Sequence, residues 1–389
     1  MRKIFSLSLV FVLLLTGCAP NFQKQEEVVQ KQKDSGEKAI IPKYKISDDY
    51  YRTILPFKAS EARGLVVNNI NSRYDLVEFE TGLMRVAQNT FDPNTYLFQE
   101  GQYVKKETIG LWLNRQYTSE QLKENKLEAS ENIGLNPLDS GQGDIAQRNE
   151  KSPIYLAHIL EHDYLVKGDN EKVSLGGIVI GLALNSVHYY QKVQYGATFE
   201  TKIPHDVLER EGEKIADEVI KRLRKIDGLN EVPITIALFE QKAKTSVVPG
   251  NFFAFANANK GSSDLGDWKG IDEKYMLFPS TEATEQHRDD ATSFSNFKQD
   301  VEKYFPNFNG VIGKAFYAGG YLQDLSIDIP IQFYGKTEGI GFTQFVTGKV
   351  MEHFPDYISV EVNVSSVNGP EALIVKEVDQ KEPFVHIYQ

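Results

Sequence analysis

The stretch Lys172-Val173-Ser174-Leu175-Gly176-Gly177-Ile178-Val179-Ile180-Gly181-Leu182-Ala183-Leu184-Asn185-Ser186 decides how the folded body is read. In an extended chain, Val173, Leu175 and Val179 point one way and Ile178, Ile180, Leu182 and Leu184 the other. A strand that is apolar on both faces is covered from both sides. The run just upstream, residues 154–166, also reads as a strand and is joined to it by Gly168-Asp169-Asn170. Two strands linked by so short a turn are expected to pair antiparallel.

Downstream, residues 206–226 read as a helix, because Leu208, Ile215, Val219, Leu223 and Ile226 recur at helical spacing. Acids crowd its start, basic residues its end, and Gly228 follows. Strands are expected at 234–239 and 252–256, and an earlier helix at 75–89 with Leu76, Phe79, Leu83, Val86 and Ala87 on one side. Residues 92–150 read as an irregular insertion holding one short helix at 119–126, with Asn136-Pro137 and Gly141-Gln142-Gly143 as punctuation.

The C-terminal half runs through the same order. A helix is expected at 292–304, strands at 310–318 and 321–334, a helix at 339–353, and strands at 357–364 and 372–375. Leu325, Ile327, Ile329, Ile331 and Phe333 alternate with Ser326, Asp328, Pro330 and Gln332, the pattern of a half-buried strand. Ser246-Val247-Val248-Pro249-Gly250 in the first half has an echo in Ser366-Val367-Asn368-Gly369-Pro370. The expected fold is therefore α+β with largely antiparallel sheets, built from two tandem related repeats of helix, two strands, helix, two strands. The first repeat is placed at 46–245, the second at 246–389.

The N-terminus reads as a processed leader. Arg2 and Lys3 precede an apolar run, residues 4–15. As a helix that run rises about 18 Å, short of a bilayer core of about 30 Å. It ends in Leu15-Thr16-Gly17-Cys18, which has the form of a lipobox, with cleavage between Gly17 and Cys18 and a diacylglycerol on the Cys18 thiol. Cys18 is the single cysteine, so lipidation leaves the mature chain without a disulfide, a thiol nucleophile or a cysteine metal ligand. Residues 1–17 are the signal peptide, and residues 18–45 the lipidated cysteine and a flexible tether whose six lysines outnumber its four acids. The mature protein is expected on the outer face of the cell membrane. Loss of Arg2 and Lys3 takes the formal charge from −11 to −13, and an acidic chain offers no footprint for nucleic acid.

Motifs for catalysis are sparse. His158-Ile159-Leu160-Glu161-His162 matches the H-x-x-E-H pattern of zinc proteases. Its flanks are strand-like, however, and four residues along a strand separate the two histidines by about 13 Å, so a zinc hydrolase is not favoured and a pair of polar positions near a sheet edge is. Gly141-Gln142-Gly143 with Ala146 lacks the strand that a dinucleotide site needs before it. Val350 follows Gly348-Lys349 where a phosphate loop needs Ser or Thr, and no G-x-S-x-G occurs. No cofactor or metal is expected. A bilobal solute or cell-wall-fragment receptor is the alternative to a non-enzymatic body, with Phe252, Phe253, Phe255 and Trp268 expected to line its cleft.

Together with the lipobox, the stretches Tyr96-Leu97-Phe98-Gln99-Glu100-Gly101-Gln102-Tyr103, Asn132-Ile133-Gly134-Leu135-Asn136-Pro137 and Val248-Pro249-Gly250-Asn251-Phe252 resemble the CamS family of sex pheromone lipoproteins of Gram-positive bacteria. The resemblance implies a body of two related repeats. It also implies that the excised leader is trimmed to a hydrophobic peptide, here Val10-Phe11-Val12-Leu13-Leu14-Leu15-Thr16-Gly17, which a receptor on plasmid-donor cells senses.

Overall fold

Residues 172–185 lie at the centre of a nine-stranded mixed sheet. The computed structural model describes residues 26–32, 35–43, 45–47, 50–139, 141–168, 172–304 and 310–389. In chain order the first part contains β1 (Glu26–Gln32), β2 (Ser35–Ile41), β3 (Arg52–Thr53), α1 (Arg63–Asn69), α2 (Arg73–Ala87), β4 (Tyr96–Glu100), α3 (Lys106–Leu113), α4 (Ser119–Glu124) and α5 (Ile145–Lys151). Then follow β5 (Leu156–Lys167), β6 (Lys172–Asn185), β7 (Val187–Gln191), β8 (Thr198–Lys202), α6 (His205–Leu223), β9 (Ile234–Gln241), β10 (Asn251–Ala258) and β11 (Lys269–Gly270). The rest contains β12 (Glu273–Phe278), α7 (Thr281–Gln286), α8 (Arg288–Tyr304), β13 (Ile312–Ala318), β14 (Tyr321–Pro330), α9 (Lys336–His353), β15 (Ser359–Ser366), β16 (Gly369–Lys376) and β17 (Phe384–Ile387).

The first sheet runs β11-β10-β9-β6-β5-β4-β3, and β1 also pairs with β6. Its two faces are covered as the β6 pattern requires. Ile178, Ile180, Leu182 and Leu184 pack with Leu208, Val219 and Leu223 of α6, while Val179 and Ala183 pack with Phe79 and Leu83 of α2. Close approach depends on glycine here: a Cβ on Gly177 would lie 2.4 Å from the Phe91 ring. The second sheet, β12-β13-β14-β15-β16-β17, buries one face against α8 and α9, with Leu325, Ile327 and Ile329 inward. A third, two-stranded sheet joins β7 to β8.

The class is mixed α+β, with antiparallel pairings in the majority. The central pair of each large sheet is parallel, β6 with β9 and β14 with β15, because a helix carries the chain across between them. Three expectations need correction. Residues 26–32 and 35–41, read as tether, pair as β1 and β2, since Val28, Ala39 and Ile41 are buried against Ile54, Leu97, Leu165 and Val173. The segment 92–150 is irregular only in part, and its expected short helix is α4. It supplies β4 to the sheet and three short helices, of which α3 buries Ile109 and Trp112. β10 and β11, which follow the division placed at 245/246, pair within the first sheet.

Candidate functional site

β4 stops at Glu100, opposite His162 of β5. Beyond it the turn 101–104 lies along β5, and Gly101 N–H donates to the Glu161 carbonyl at 3.0 Å. The N–H groups of Tyr103 and Val104 donate to the Glu161 carboxylate at 3.0 and 2.7 Å, and that of Gln102 to Asp163 Oδ2 at 3.1 Å. Two residues apart on a strand, Glu161 and Asp163 share one face. Burial raises both carboxyl pKa values, that of Asp163 well above the usual range with the Glu161 charge adding to it. The turn can sit this close only because residue 101 is glycine; a Cβ there would lie 2.4 Å from the Glu161 side chain.

His158 and His162 project from the other face. Both are buried, and burial pushes their pKa values down, to about 4 and about 3. Asn69 Nδ2 lies 3.3 Å from His158 Nδ1, and the Phe98 ring meets His162 edge-on at 4.9 Å. His162 Nδ1 has no hydrogen-bond partner. Both imidazoles line a cavity of about 230 Å³ with Phe98, Val66, Met84 and Ile109 among its other walls. The sequence reading of a strand near a sheet edge holds, but the histidines are interior groups. They do not form a metal centre with Glu161, which is turned to the opposite face. Among the described residues the group that does bring carboxylates and a histidine together is Asp300, Glu352 and His353. Lys349 already occupies it, at 2.9 Å from Asp300 and 2.6 Å from Glu352, so it is an ion-pair network.

A second feature is a cleft of about 1050 Å³ between the two large sheets. Arg73, Tyr74 and Val77 of α2 form one wall, and Lys314, Phe316 and Ser326 of the second sheet the other. At its floor Arg85 bridges the halves. It donates to Glu273 through Nε at 3.1 Å and Nη2 at 2.8 Å, and its guanidinium also pairs with buried Glu78. Tyr275 Oη donates to Glu78 Oε2 at 2.6 Å. The aromatics expected in a cleft are elsewhere: Phe252, Phe253 and Phe255 are buried in the first sheet and Trp268 packs against its core, because both faces of β10 are covered. Cys18 and the peptide Val10 to Gly17 lie outside the described residues.

No curated protein matches the chain. A family model described as CamS sex pheromone cAM373 precursor matches residues 57–382. The C-terminal domain of the sex pheromone staph-cAM373 precursor from Staphylococcus aureus is 36% identical with a TM-score of 0.72, over 82% of this chain and 98% of that one. A sex pheromone precursor from Lactobacillus salivarius is 32% identical with a TM-score of 0.79, over 89% of this chain and 98% of that one. A family match over residues 57–382, together with these identities over most of the chain, means that the chain belongs to the CamS sex pheromone cAM373 precursor family.

Proposed function

We propose that the chain is a lipoprotein held on the outer face of the cell membrane by diacylglyceryl-Cys18. On this reading the excised leader is trimmed to the hydrophobic peptide Val10 to Gly17, which acts as a pheromone on plasmid-donor cells. The observation that carries it is Leu15-Thr16-Gly17-Cys18 closing a short apolar run in a member of a pheromone-precursor family. At about 0.8 kcal/mol per buried methylene, two acyl chains on one residue make a stable anchor. The peptide carries no charged side chain, which suits passage into an apolar receptor groove. Because β1 begins at Glu26, the eight residues from Cys18 can span at most about 28 Å, so the body would stand close to the bilayer.

Cys18→Ala is expected to move nearly all of the protein from the membrane fraction into the medium, and mass spectrometry of the wild type to find a lipid-modified cysteine at its N-terminus. An unmodified Cys18 thiol or an N-terminus at Met1 would overturn the anchor. Synthetic Val10–Gly17 peptide should provoke clumping of donor cells, and silence across a donor panel would remove the pheromone role alone. No catalytic role is proposed for His158, Glu161 or His162. A repeated ancestral unit is also proposed, supported by the order β5-β6-α6-β9-β10, interrupted by the β7–β8 hairpin before α6, and β13-β14-α9-β15-β16, each with a parallel central pair.

A second reading, a receptor for a solute or cell-wall fragment, is favoured by the cleft between the sheets and the exposed Tyr50 and Tyr74 that flank it. Soluble cell-wall fragments are then expected to raise the melting temperature by several degrees, since a ligand present at 100 times its Kd adds about 2.7 kcal/mol. Tyr74→Ala should abolish the shift. The absence of any shift in the wild type would dispose of the reading.

A further inference from the structure

The walls of the cleft between the two large sheets limit what it can hold. One wall is the side of α2 that carries Tyr74, Val77 and Thr81, the other the outward face of β13, β14 and β15. Those three strands are interior to the six-stranded sheet, so their backbone N–H and C=O groups are committed to neighbouring strands. A helix commits its own in the same way. Neither wall therefore has an open edge to which an extended peptide could add as a strand. Nor does the floor hold a socket for an apolar anchor, because Phe316 is 8% exposed and is closed over by the Tyr275 ring at 4.8 Å and the Arg85 guanidinium at 4.7 Å.

Charge selects no sign of ligand. The lining holds Arg73, Arg85 and Lys314 against Glu78, Asp324 and Glu377, three cations to three carboxylates, so it is neutral overall although the chain carries −11. A site for a polyanion or a polycation needs an excess of the opposite sign. What the cleft does present is aromatic faces and hydroxyls. Tyr50 and Tyr74 are 46% and 50% exposed, and among the described residues neither ring packs on another. Ser326 and Ser359, half-buried on the facing wall, have hydroxyls with no protein partner among the described residues. Such groups complement a sugar, whose C–H face lies against an aromatic ring while its hydroxyls both donate and accept. The volume of about 1050 Å³ is at the upper end for ligand sites, room for several rings.

We propose that the cleft binds an uncharged oligosaccharide of several rings, two of them lying on Tyr50 and Tyr74 and hydroxyls along the chain meeting Ser326 and Ser359. Resting on the receptor reading, this selects the glycan from among cell-wall fragments in place of their peptides and anionic polymers. The probes are the uncharged tetrasaccharides of N-acetylglucosamine, β-linked glucose and α-linked glucose, each titrated into the full protein by calorimetry. At least one should bind saturably, one to one, and its affinity should change less than about twofold when the salt is raised about tenfold, since no charge pairing is screened. Tyr50→Ala should weaken it about fivefold to tenfold, and Tyr50→Phe, which keeps the ring, should leave it unchanged. Three results would each overturn the proposal: no saturable binding of any tetrasaccharide, a tenfold loss of affinity with salt, or full affinity in Tyr50→Ala. A cell-wall stem peptide and poly(glycerol phosphate) serve as the contrasting probes. Binding of either with no tetrasaccharide bound overturns the glycan and leaves the receptor reading standing, whereas silence from all five overturns both.

Discussion

Arg85→Ala is expected to destabilise the protein by about 3–5 kcal/mol, the usual cost of removing one partner from a buried ion pair. From α2, Arg85 reaches the second sheet beside Glu78, binding Glu273 through two parallel hydrogen bonds while its guanidinium lies 4.7 Å from the Phe316 ring centroid. Removing it leaves Glu78 buried with only the Tyr275 hydroxyl to hold its charge. Burial raises the Glu78 pKa, and Arg85 is the strongest of the influences that oppose the rise. Without that opposition the folded-state value climbs further. A carboxyl raised in the folded state contributes stability below its unfolded pKa and loses it as pH rises through the folded value. The deficit of Arg85→Ala should therefore be larger at pH 8 than at pH 5. Because the cost is one of stranded charge, replacing the network whole, as Glu78→Gln, Arg85→Met and Glu273→Gln together, should return stability to within about 1.5 kcal/mol of the wild type. Urea unfolding of these proteins at the two pH values measures both effects. A loss under 1 kcal/mol for Arg85→Ala would show that the halves are held together by something else.

The parts of this fold that can be read from sequence are those where one element carries a long periodic signal. β6 is apolar on both faces, β14 alternates and α6 keeps its helical spacing, and each lies within a few residues of its expected bounds. The β1–β2 pair is hidden because Val28, Ala39 and Ile41 are its buried apolar anchors among lysines, glutamines and acids. β4 and α3 have five and eight residues, too few for a period to emerge. The site is harder still. The strand carrying His158 and His162 is legible, but Phe57, Arg63, Met84, Phe98 and Ile109, which close over it, come from separate segments whose meeting no local spacing encodes. The Glu161–Asp163 pair leaves a trace as two acids on one face of an apolar strand. Nothing in the sequence shows that the turn 102–104 aims three N–H groups at them.

The strand β5 should also make stability depend on pH in two opposite senses. His158 and His162 have folded pKa values lowered by burial, to about 4 and about 3, from an ordinary value of 6.5. A base lowered in this way contributes stability that is fully present above 6.5 and is lost as pH falls toward the folded value, because the unfolded chain takes up the proton first. For His162 the loss between pH 7 and pH 4 comes to about 3 kcal/mol. His162→Phe keeps a ring against Phe98 and gives up no hydrogen bond at Nδ1, so its stability relative to the wild type should rise by about 3 kcal/mol over that interval. The carboxyl pair runs the other way. Burial raises Glu161 and Asp163, and for Asp163 the charge on Glu161 adds to the rise, so their contribution is present below the unfolded carboxyl pKa and is lost as pH rises through the folded values. Asp163→Asn removes one of the two charges and keeps an acceptor for the Gln102 N–H. Its stability relative to the wild type should therefore improve from pH 4 to pH 8. Unfolding midpoints of the three proteins across this range should cross; parallel profiles would mean that β5 does not hold two imidazoles and a carboxyl pair out of water.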